Sequence, residues 1–472
     1  AVLIGACLIG LCIFGIRGRT GYNPIKVSAA YFCQDAFLNQ LGVSPTFNLL
    51  TSVMDDMRPE NKYLHLMDEQ EAITKAQALL NRPGDANVSP LAVYRRAAKA
   101  DSVQQRRPNV VLIMMESMSA EFMKHFGQSE TLTPFLDSLY TRSISFRNFY
   151  SAGIHTNHGL YATLYSFPAM MKRNLMKGSV IPRYSGLPTV LKENGYYNLF
   201  FMTHEGQYDN MNAFFRTNGY DEVFSQEDYP ADKVVNSFGV QDDFLYDYAI
   251  PVLNQRAATG QPFFATLLSI SNHPPYVIPP FFHPKTSEPE TQIVEYADWA
   301  LRQFFEEARK QPWFDNTIFV LEGDHGKLVG DAECELPESY NHIPLMIYSS
   351  RIQPEEKTTF GGQVDIQPTI LGLLNIDYLQ NNFGVDLLKE ERPCMFYTAD
   401  NMVVGRNDTL LYLYNYETQQ ELTYDIGNGK LNAVPMDDSF LPLKEYSFSM
   451  LQSAEFLVKH GKTLNSIPFT QQ

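Results

Sequence analysis

From Arg107 onward the chain repeats a pattern that few folds can satisfy: a short unbroken apolar run, a polar tip, then a helical stretch. The runs are Val110–Met115, Tyr197–Met202, Phe263–Ile270, Thr317–Leu321 and Ile343–Tyr348. A run that is apolar at every position suits a strand buried on both faces. Helical spacing fills the intervals at Leu132–Tyr140, Pro188–Asn194, Asp242–Asn254 and Tyr296–Arg309. Strands alternating with helices predict an α/β fold, a mostly parallel sheet sandwiched by helices. After Cys394 the texture changes. Met395–Thr398, Val403–Gly405, Thr409–Tyr416 and Glu421–Tyr424 are short and separated by turn residues, which predicts a small antiparallel sheet closed by a helix over Leu441–His460.

In open parallel sheets, ligands bind beyond the carboxyl ends of the strands, so the residue after each run carries the functional argument. The first run ends in Glu116-Ser117. Tyr197–Met202 leads to Thr203-His204-Glu205, and Phe263–Ile270 to Ser271-Asn272-His273. Thr317–Leu321 leads to Glu322-Gly323-Asp324-His325-Gly326, and Ser143–Tyr150 into Gly153-Ile154-His155-Thr156. Glu116, Asp324 and His325 offer the mixed oxygen and nitrogen donors that suit Zn²⁺ or Mn²⁺. A threonine hydroxyl is a poor nucleophile at neutral pH. Coordination to a divalent ion at the start of a helix would activate Thr156. An ordinary helix cap is the structural alternative there. His273 and His204 are candidates to bind a phosphoryl oxygen or protonate a leaving group, against a purely structural role. His155, His158 and His342 read as structural neighbours of the site, and Trp299 and Trp313 as packing residues.

The flanks set the setting. Ala1–Ile16 is almost wholly apolar, yet its sixteen residues fall short of the roughly 20 that span a bilayer. The expectation is the end of a transmembrane helix over residues 1–17, with further helices possible upstream. The alternatives are a signal-peptide core or a buried helix. Arg17 and Arg19 follow at once, a flank that the positive-inside rule assigns to the cytoplasm, against the extracytoplasmic catalytic domain argued here. Residues 18–106 read as a helical juxtamembrane linker region. Ser28–Leu50 and Glu69–Asn81 have helical spacing, the former apolar enough to lie against a membrane or the main domain. Asn81–Gly84 reads as a turn and Arg95–Arg107 as a linker. The catalytic domain is expected over 107–472, with a C-terminal subdomain from about 394. Net charge is −16 without a dense basic run, which argues against a nucleic-acid partner. A phosphate-ester substrate would need a metal or local cations against that field. The five cysteines form no CxxC pair, and pairing of Cys334 with Cys394 is left open.

The stretches Asn109–Ser117, Gly153–Thr156, Ser271–His273 and Gly323–Gly326, in that order, resemble the lipoteichoic acid synthase group of the alkaline phosphatase/sulfatase superfamily. Tyr150–Gly153 and Gly219–Asp221 are similar too, as is the order of membrane helix, helical linker and catalytic domain. The likeness covers Asn109–Tyr348 well and the flanks loosely. It implies one divalent ion, Mn²⁺ first with Mg²⁺ or Zn²⁺ as substitutes, on Glu116, Thr156, Asp324 and His325. It further implies Thr156 as nucleophile, and His273 and His204 in a glycerol-phosphate pocket. The gram-positive enzymes carry a Trp-x-Arg element shortly after the His204 position. The corresponding Gln207–Arg216 segment has no Trp, which leaves polymer formation open.

The resemblance implies a membrane-anchored phosphotransferase of the cell envelope. Its donor would be a phosphatidylglycerol-like phospholipid and its acceptor a glycan or glycerolphosphate polymer. A phosphoethanolamine transferase, or a phosphodiesterase or sulfatase-like hydrolase, is the alternative. A sulfatase needs Cys or Ser in a C/S-x-P-x-R context, which Thr156-Asn157-His158-Gly159 lacks. A non-catalytic lipid or glycan sensor would be expected to carry a broken donor set.

Overall fold

The computed structural model describes residues 2–20, 24–33, 36–58, 61–82, 85–87, 91, 93–95, 107–178, 181–427 and 429–464. Most of the expected linker, 96–106, and Pro83 and Gly84 of the expected turn lie outside the described residues.

Each of the expected apolar runs becomes a strand of one eight-stranded sheet. Its order is Glu355–Gly362, Ile144–Tyr150, Leu345–Tyr348, Thr317–Gly323, Asn109–Met115, Phe263–Leu268, Tyr197–Met202, Glu222–Phe224. Leu345–Tyr348 runs antiparallel to both neighbours, and the other pairings are parallel. The central strand shows why its sequence is continuously apolar. Val110, Leu112 and Met114 enter one core and Val111, Ile113 and Met115 the other, because successive side chains point to opposite faces. Helices Pro134–Tyr140, Asp242–Ala257 and Pro289–Ala308 cover one face, and Thr156–Tyr165, Leu187–Glu193, Met211–Thr217 and Ile366–Leu373 the other.

Several strands escape the apolar signature, Glu222–Phe224 and Tyr378–Gln380 among them. Glu355–Gly362 lies at the sheet edge with its first half open to solvent, so Glu355, Glu356, Lys357 and two threonines carry no apolar strand signal. Lys430–Ala433 adds a fifth, mostly exposed strand to the C-terminal antiparallel sheet, beyond the turn expected at Ile426–Gly429. The closing helix Leu441–Lys459 packs on that sheet and on helix Glu69–Leu80.

The N-terminal region forms the expected helices only in part. Val2–Arg17 is a helix of 16 residues, about 24 Å at 1.5 Å per residue, short of the roughly 30 Å hydrocarbon core. Among the described residues no helix is long and apolar enough to cross a membrane. Ser28–Leu50 is not one helix. Ser44 caps a new one, Pro45–Asp56, with Pro45 in its first turn, since proline cannot continue a preceding helix.

The C-terminal unit is tied to the main sheet through a buried ion pair. Arg392 Nε donates to Asp365 Oδ2 at 2.8 Å, and Nη1 to the Tyr446 hydroxyl at 2.6 Å. Asp365 in turn accepts from the Gly362 and Val385 amides. Arg392→Ala would leave that carboxylate buried without its cation, which costs about 3–5 kcal/mol. The expected result is a correspondingly lower urea midpoint with an unchanged slope.

Candidate active site

Register builds the site. Met115 pairs with Gly323, so the residues that follow the two central strands, Glu116 and Asp324, emerge side by side. The Asp324 amide donates to the Met115 carbonyl at 3.0 Å. Ser117 turns back at φ +50°. Its amide donates to Asp324 Oδ1 at 2.8 Å and its hydroxyl to Glu116 Oε1 at 2.7 Å. His325 Nδ1 lies 2.8 Å from the Gly326 carbonyl. A carbonyl only accepts, so the proton sits on Nδ1 and Nε2 presents a lone pair. That Nε2 stands 3.7 Å from both Glu116 Oε1 and Asp324 Oδ2.

Thr156 opens the helix Thr156–Tyr165, and its hydroxyl lies 3.4 Å from Glu116 Oε2. Two contacts hold this helix against the Asp324 segment. Thr163 Oγ1 donates to Glu322 Oε1 at 2.6 Å. Gly159 sits so close that a Cβ would collide with the Asp324 carbonyl. Gln363 locks the same place, donating to the Asp324 carbonyl at 2.7 Å while accepting from the Ala152 amide at 2.9 Å. Gly159→Ala should therefore push the Asp324 main chain from its position. The expected result is roughly 10- to 100-fold weaker divalent-ion affinity, read by calorimetry, with the overall fold retained.

The electrostatics call for a cation. Glu116 is buried, and burial first, then the neighbouring Asp324 carboxylate, push its carboxyl well above the usual range. Asp324 Oδ2 is buried with no hydrogen-bond partner. Ligand atoms of Glu116, Asp324 and His325 lie within 4.8 Å of one another. Two buried carboxylates, one with an orphaned oxygen, beside a bare imidazole nitrogen fit one divalent ion.

His273 and His204 do not touch that cluster directly. Half-buried His273 packs its ring on Phe238 at 4.0 Å, and its Nδ1 meets the Pro274 carbonyl at 2.6 Å. Buried His204 packs on Tyr208 at 4.6 Å, and Tyr208 meets Phe238 edge-on at 6.3 Å. An aromatic chain thus links the two histidines. Burial pushes both imidazoles down.

Sequence reasoning passed over several residues. Lys327 donates to Asn272 Oδ1 at 2.6 Å and to the Tyr276 hydroxyl at 3.2 Å, and burial pushes its ammonium down to about 8. Asp242 accepts from the Ile270 and Ser271 amides, fixing the turn before His273. Lys327 lies two positions past His325 and was in view, whereas nothing in the sequence singles out Asp242 or Gln363. His155 pairs with Asp400 and His342 with Glu121, each at 2.7–2.8 Å. His158 is buried with both ring nitrogens unpartnered. Trp313 is a core residue, Trp299 packs against that core, and the five cysteines are free. A cavity of about 740 Å³ opens at the other end of the strands, lined by Arg107, Asn254, Gln261 and Trp313 among others. It carries none of these donors.

A mostly parallel sheet with carboxylate, imidazole and hydroxyl donors at its carboxyl edge defines an alkaline phosphatase-like α/β protein. The sulfatase family matches residues 108–376, more than half of the chain, and the protein belongs to that family. A crystal structure of an alkaline phosphatase superfamily protein from Vibrio parahaemolyticus superposes with a TM-score of 0.75 and 26% identity, covering 85% of this chain and 98% of the other. The lipoteichoic acid synthase LtaP of Listeria monocytogenes shares the fold, with TM-score 0.65 and 21% identity over 75% of this chain and 93% of LtaP. Lipoteichoic acid synthase 1 of Bacillus subtilis is 25% identical over 350 residues, 68% of this chain and 53% of that protein. Staphylococcus aureus lipoteichoic acid synthase is 23% identical over 374 residues, 70% of this chain and 54% of the other. The chain spans about half the length of these synthases.

Proposed function

We propose that this protein is a metal-dependent phosphotransferase that moves glycerol phosphate from a phosphatidylglycerol-like lipid, through a phosphothreonine-type intermediate, to a glycan or glycerolphosphate acceptor. The observation that carries the reading is the Thr156 hydroxyl, at a helix start, 3.4 Å from a buried carboxylate that belongs to the Glu116, Asp324 and His325 cluster. A divalent ion held there with Thr156 as a further ligand, Mn²⁺ first and Mg²⁺ or Zn²⁺ as substitutes, would lower the hydroxyl pKa and neutralise charge on the phosphoryl oxygens.

Thr156 Oγ attacks phosphorus, and the bond from phosphorus to the diacylglycerol oxygen breaks. The threonine proton is lost, and one proton ends on the departing diacylglycerol hydroxyl. The acceptor hydroxyl then attacks the same phosphorus and Thr156 leaves, taking back a proton. His204 and His273, linked through Tyr208 and Phe238, are assigned to the glycerol-phosphate side of the pocket. Similarity to proteins named lipoteichoic acid synthase supports the donor class. The catalytic unit is assigned to 107–472, preceded by a juxtamembrane region and a membrane anchor that includes Val2–Arg17. In support, that helix buries none of its residues, and Leu49, Leu50, Val53 and Met54 on the helix Pro45–Asp56 are exposed. Such a contiguous apolar surface marks a membrane or partner contact. The catalytic side is assigned to the extracytoplasmic face of the cell membrane.

Donor choice is tested with vesicles containing equal phosphatidylglycerol and phosphatidylethanolamine. Diacylglycerol release with consumption of phosphatidylglycerol alone is expected. Consumption of phosphatidylethanolamine would instead establish a phosphoethanolamine transferase, and release without transfer to any acceptor a hydrolase.

A further inference from the structure

Two left-handed residues in succession, Asp209 at φ +49° and Asn210 at φ +62°, close the loop that follows His204. Aspartate and asparagine visit this region more readily than other non-glycine residues, but as single residues, so two in succession persist only where their surroundings hold them. The surroundings come in large part from far away in sequence. Arg19 Nη2 donates to Glu205 Oε1 at 2.7 Å, and that carboxylate is almost fully buried. Gln207 Nε2 donates to the other Glu205 oxygen at 3.1 Å. The Lys26 amide donates to Gln207 Oε1 at 3.2 Å, and Asn212 Nδ2 to the Tyr31 carbonyl at 2.9 Å. Tyr31 and Ser28 are buried against this region. The strap that follows the apolar helix thus grips the loop at Glu205, Gln207 and Asn212.

What the loop presents faces the chemistry. Tyr208 packs on His204 at 4.6 Å and meets Phe238 edge-on at 6.3 Å, and Phe238 in turn packs on His273 at 4.0 Å. Tyr208 therefore couples this loop to both histidines assigned to the headgroup.

We propose that residues 17–20 and 24–31 are a working part of the substrate pocket, with Arg19 a positioning residue that acts through Glu205 to hold the His204–Asn210 loop for a lipid phosphodiester headgroup. The inference rests on the reading above for the identity of the headgroup, and on the contacts alone for the loop. Its consequence is that the site is not contained in the sulfatase unit. Arg19, just past the end of the apolar helix, and Lys26 and Tyr31 all hold the rim of the pocket, so the orientation of the helix at a lipid surface biases the pose of the pocket.

The test uses the full chain with Arg19→Gln, Arg19→Lys and the exchange Arg19→Glu with Glu205→Arg. The first readout is hydrogen exchange of amides 205–212, with those of 109–115 as an internal control. Arg19→Gln should speed exchange in 205–212 about tenfold or more and leave 109–115 unchanged. Arg19→Lys and the exchanged pair should restore much of the protection. The second readout is kinetic. With phosphatidylglycerol in vesicles, Arg19→Gln should raise KM about tenfold with kcat within twofold. Hydrolysis of bis(4-nitrophenyl) phosphate, which has no glycerol headgroup, should fall several-fold less than turnover of phosphatidylglycerol. Unchanged exchange in Arg19→Gln overturns the proposal whatever the donor is. Faster exchange with an unaltered KM on an active donor overturns the link to headgroup binding. Equal loss on both substrates, with loss of bound metal, would make Arg19 a general structural residue and also overturn it. If the wild type ignores phosphatidylglycerol while the exchange result holds, the donor assignment fails and the strap stands.

Discussion

Thr156→Ala is expected to lower phosphodiester turnover by about 10³-fold or more while leaving the fold and the Glu116 and Asp324 carboxylates in place. The physical reason is specific to this residue. The Thr156 hydroxyl lies at the start of the helix Thr156–Tyr165 and 3.4 Å from Glu116 Oε2. An alanine methyl keeps the helix but has no oxygen to bond phosphorus. Residual activity would come from the rest of the site acting on water. Thr156→Ser keeps the hydroxyl and should retain much of the rate. Steady-state rates on a soluble phosphodiester, beside circular dichroism of each variant, check this. Wild-type rates in Thr156→Ala would remove the nucleophile from the account.

The second large effect concerns the ion. Glu116 and Asp324 are buried side by side, and Asp324 Oδ2 has no hydrogen-bond partner. Without a cation these carboxylates repel, and burial adds to the cost. Mn²⁺ should therefore stabilise the wild type, by about 2.7 kcal/mol at a hundred times Kd, seen as a higher Tm. Asp324→Asn removes one negative charge and one ligand. Metal-free Asp324→Asn should be at least as stable as the metal-free wild type, yet show little or no rise in Tm with Mn²⁺ and little turnover. A rise equal to that of the wild type would place the ion elsewhere.

Much of this architecture was legible because the central strands are buried on both faces. Val110–Met115 and Tyr197–Met202 carry no polar residue except Asn198, and the Asn198 amide group bonds the Pro188 and Gly219 carbonyls. Such runs announce a parallel sheet, and a parallel sheet announces its own active edge. Glu116, Thr156, Asp324 and His325 could be chosen because each directly follows a strand or begins the next helix. What stayed hidden has physical causes. Glu355–Gly362 is an edge strand with one solvated half, so its pattern is polar. Gln363, which it delivers to the Asp324 carbonyl, could not be seen without it. The apolar N-terminal helix was legible as a helix, but its length fell short of a span. The grip of Arg19 on Glu205 joins residues 186 positions apart, and no local pattern encodes that distance.

In the proposed reaction Thr156 becomes covalently attached to the phosphoryl group. Intact mass spectrometry with peptide mapping, on the wild type and Thr156→Ala after brief incubation with phosphatidylglycerol and Mn²⁺, tests it directly. The account predicts a gain of one glycerophosphoryl group on the wild type, mapped to the peptide containing Thr156, and no gain on the variant. Diacylglycerol release with the adduct on another residue, or the same adduct on Thr156→Ala, would contradict it.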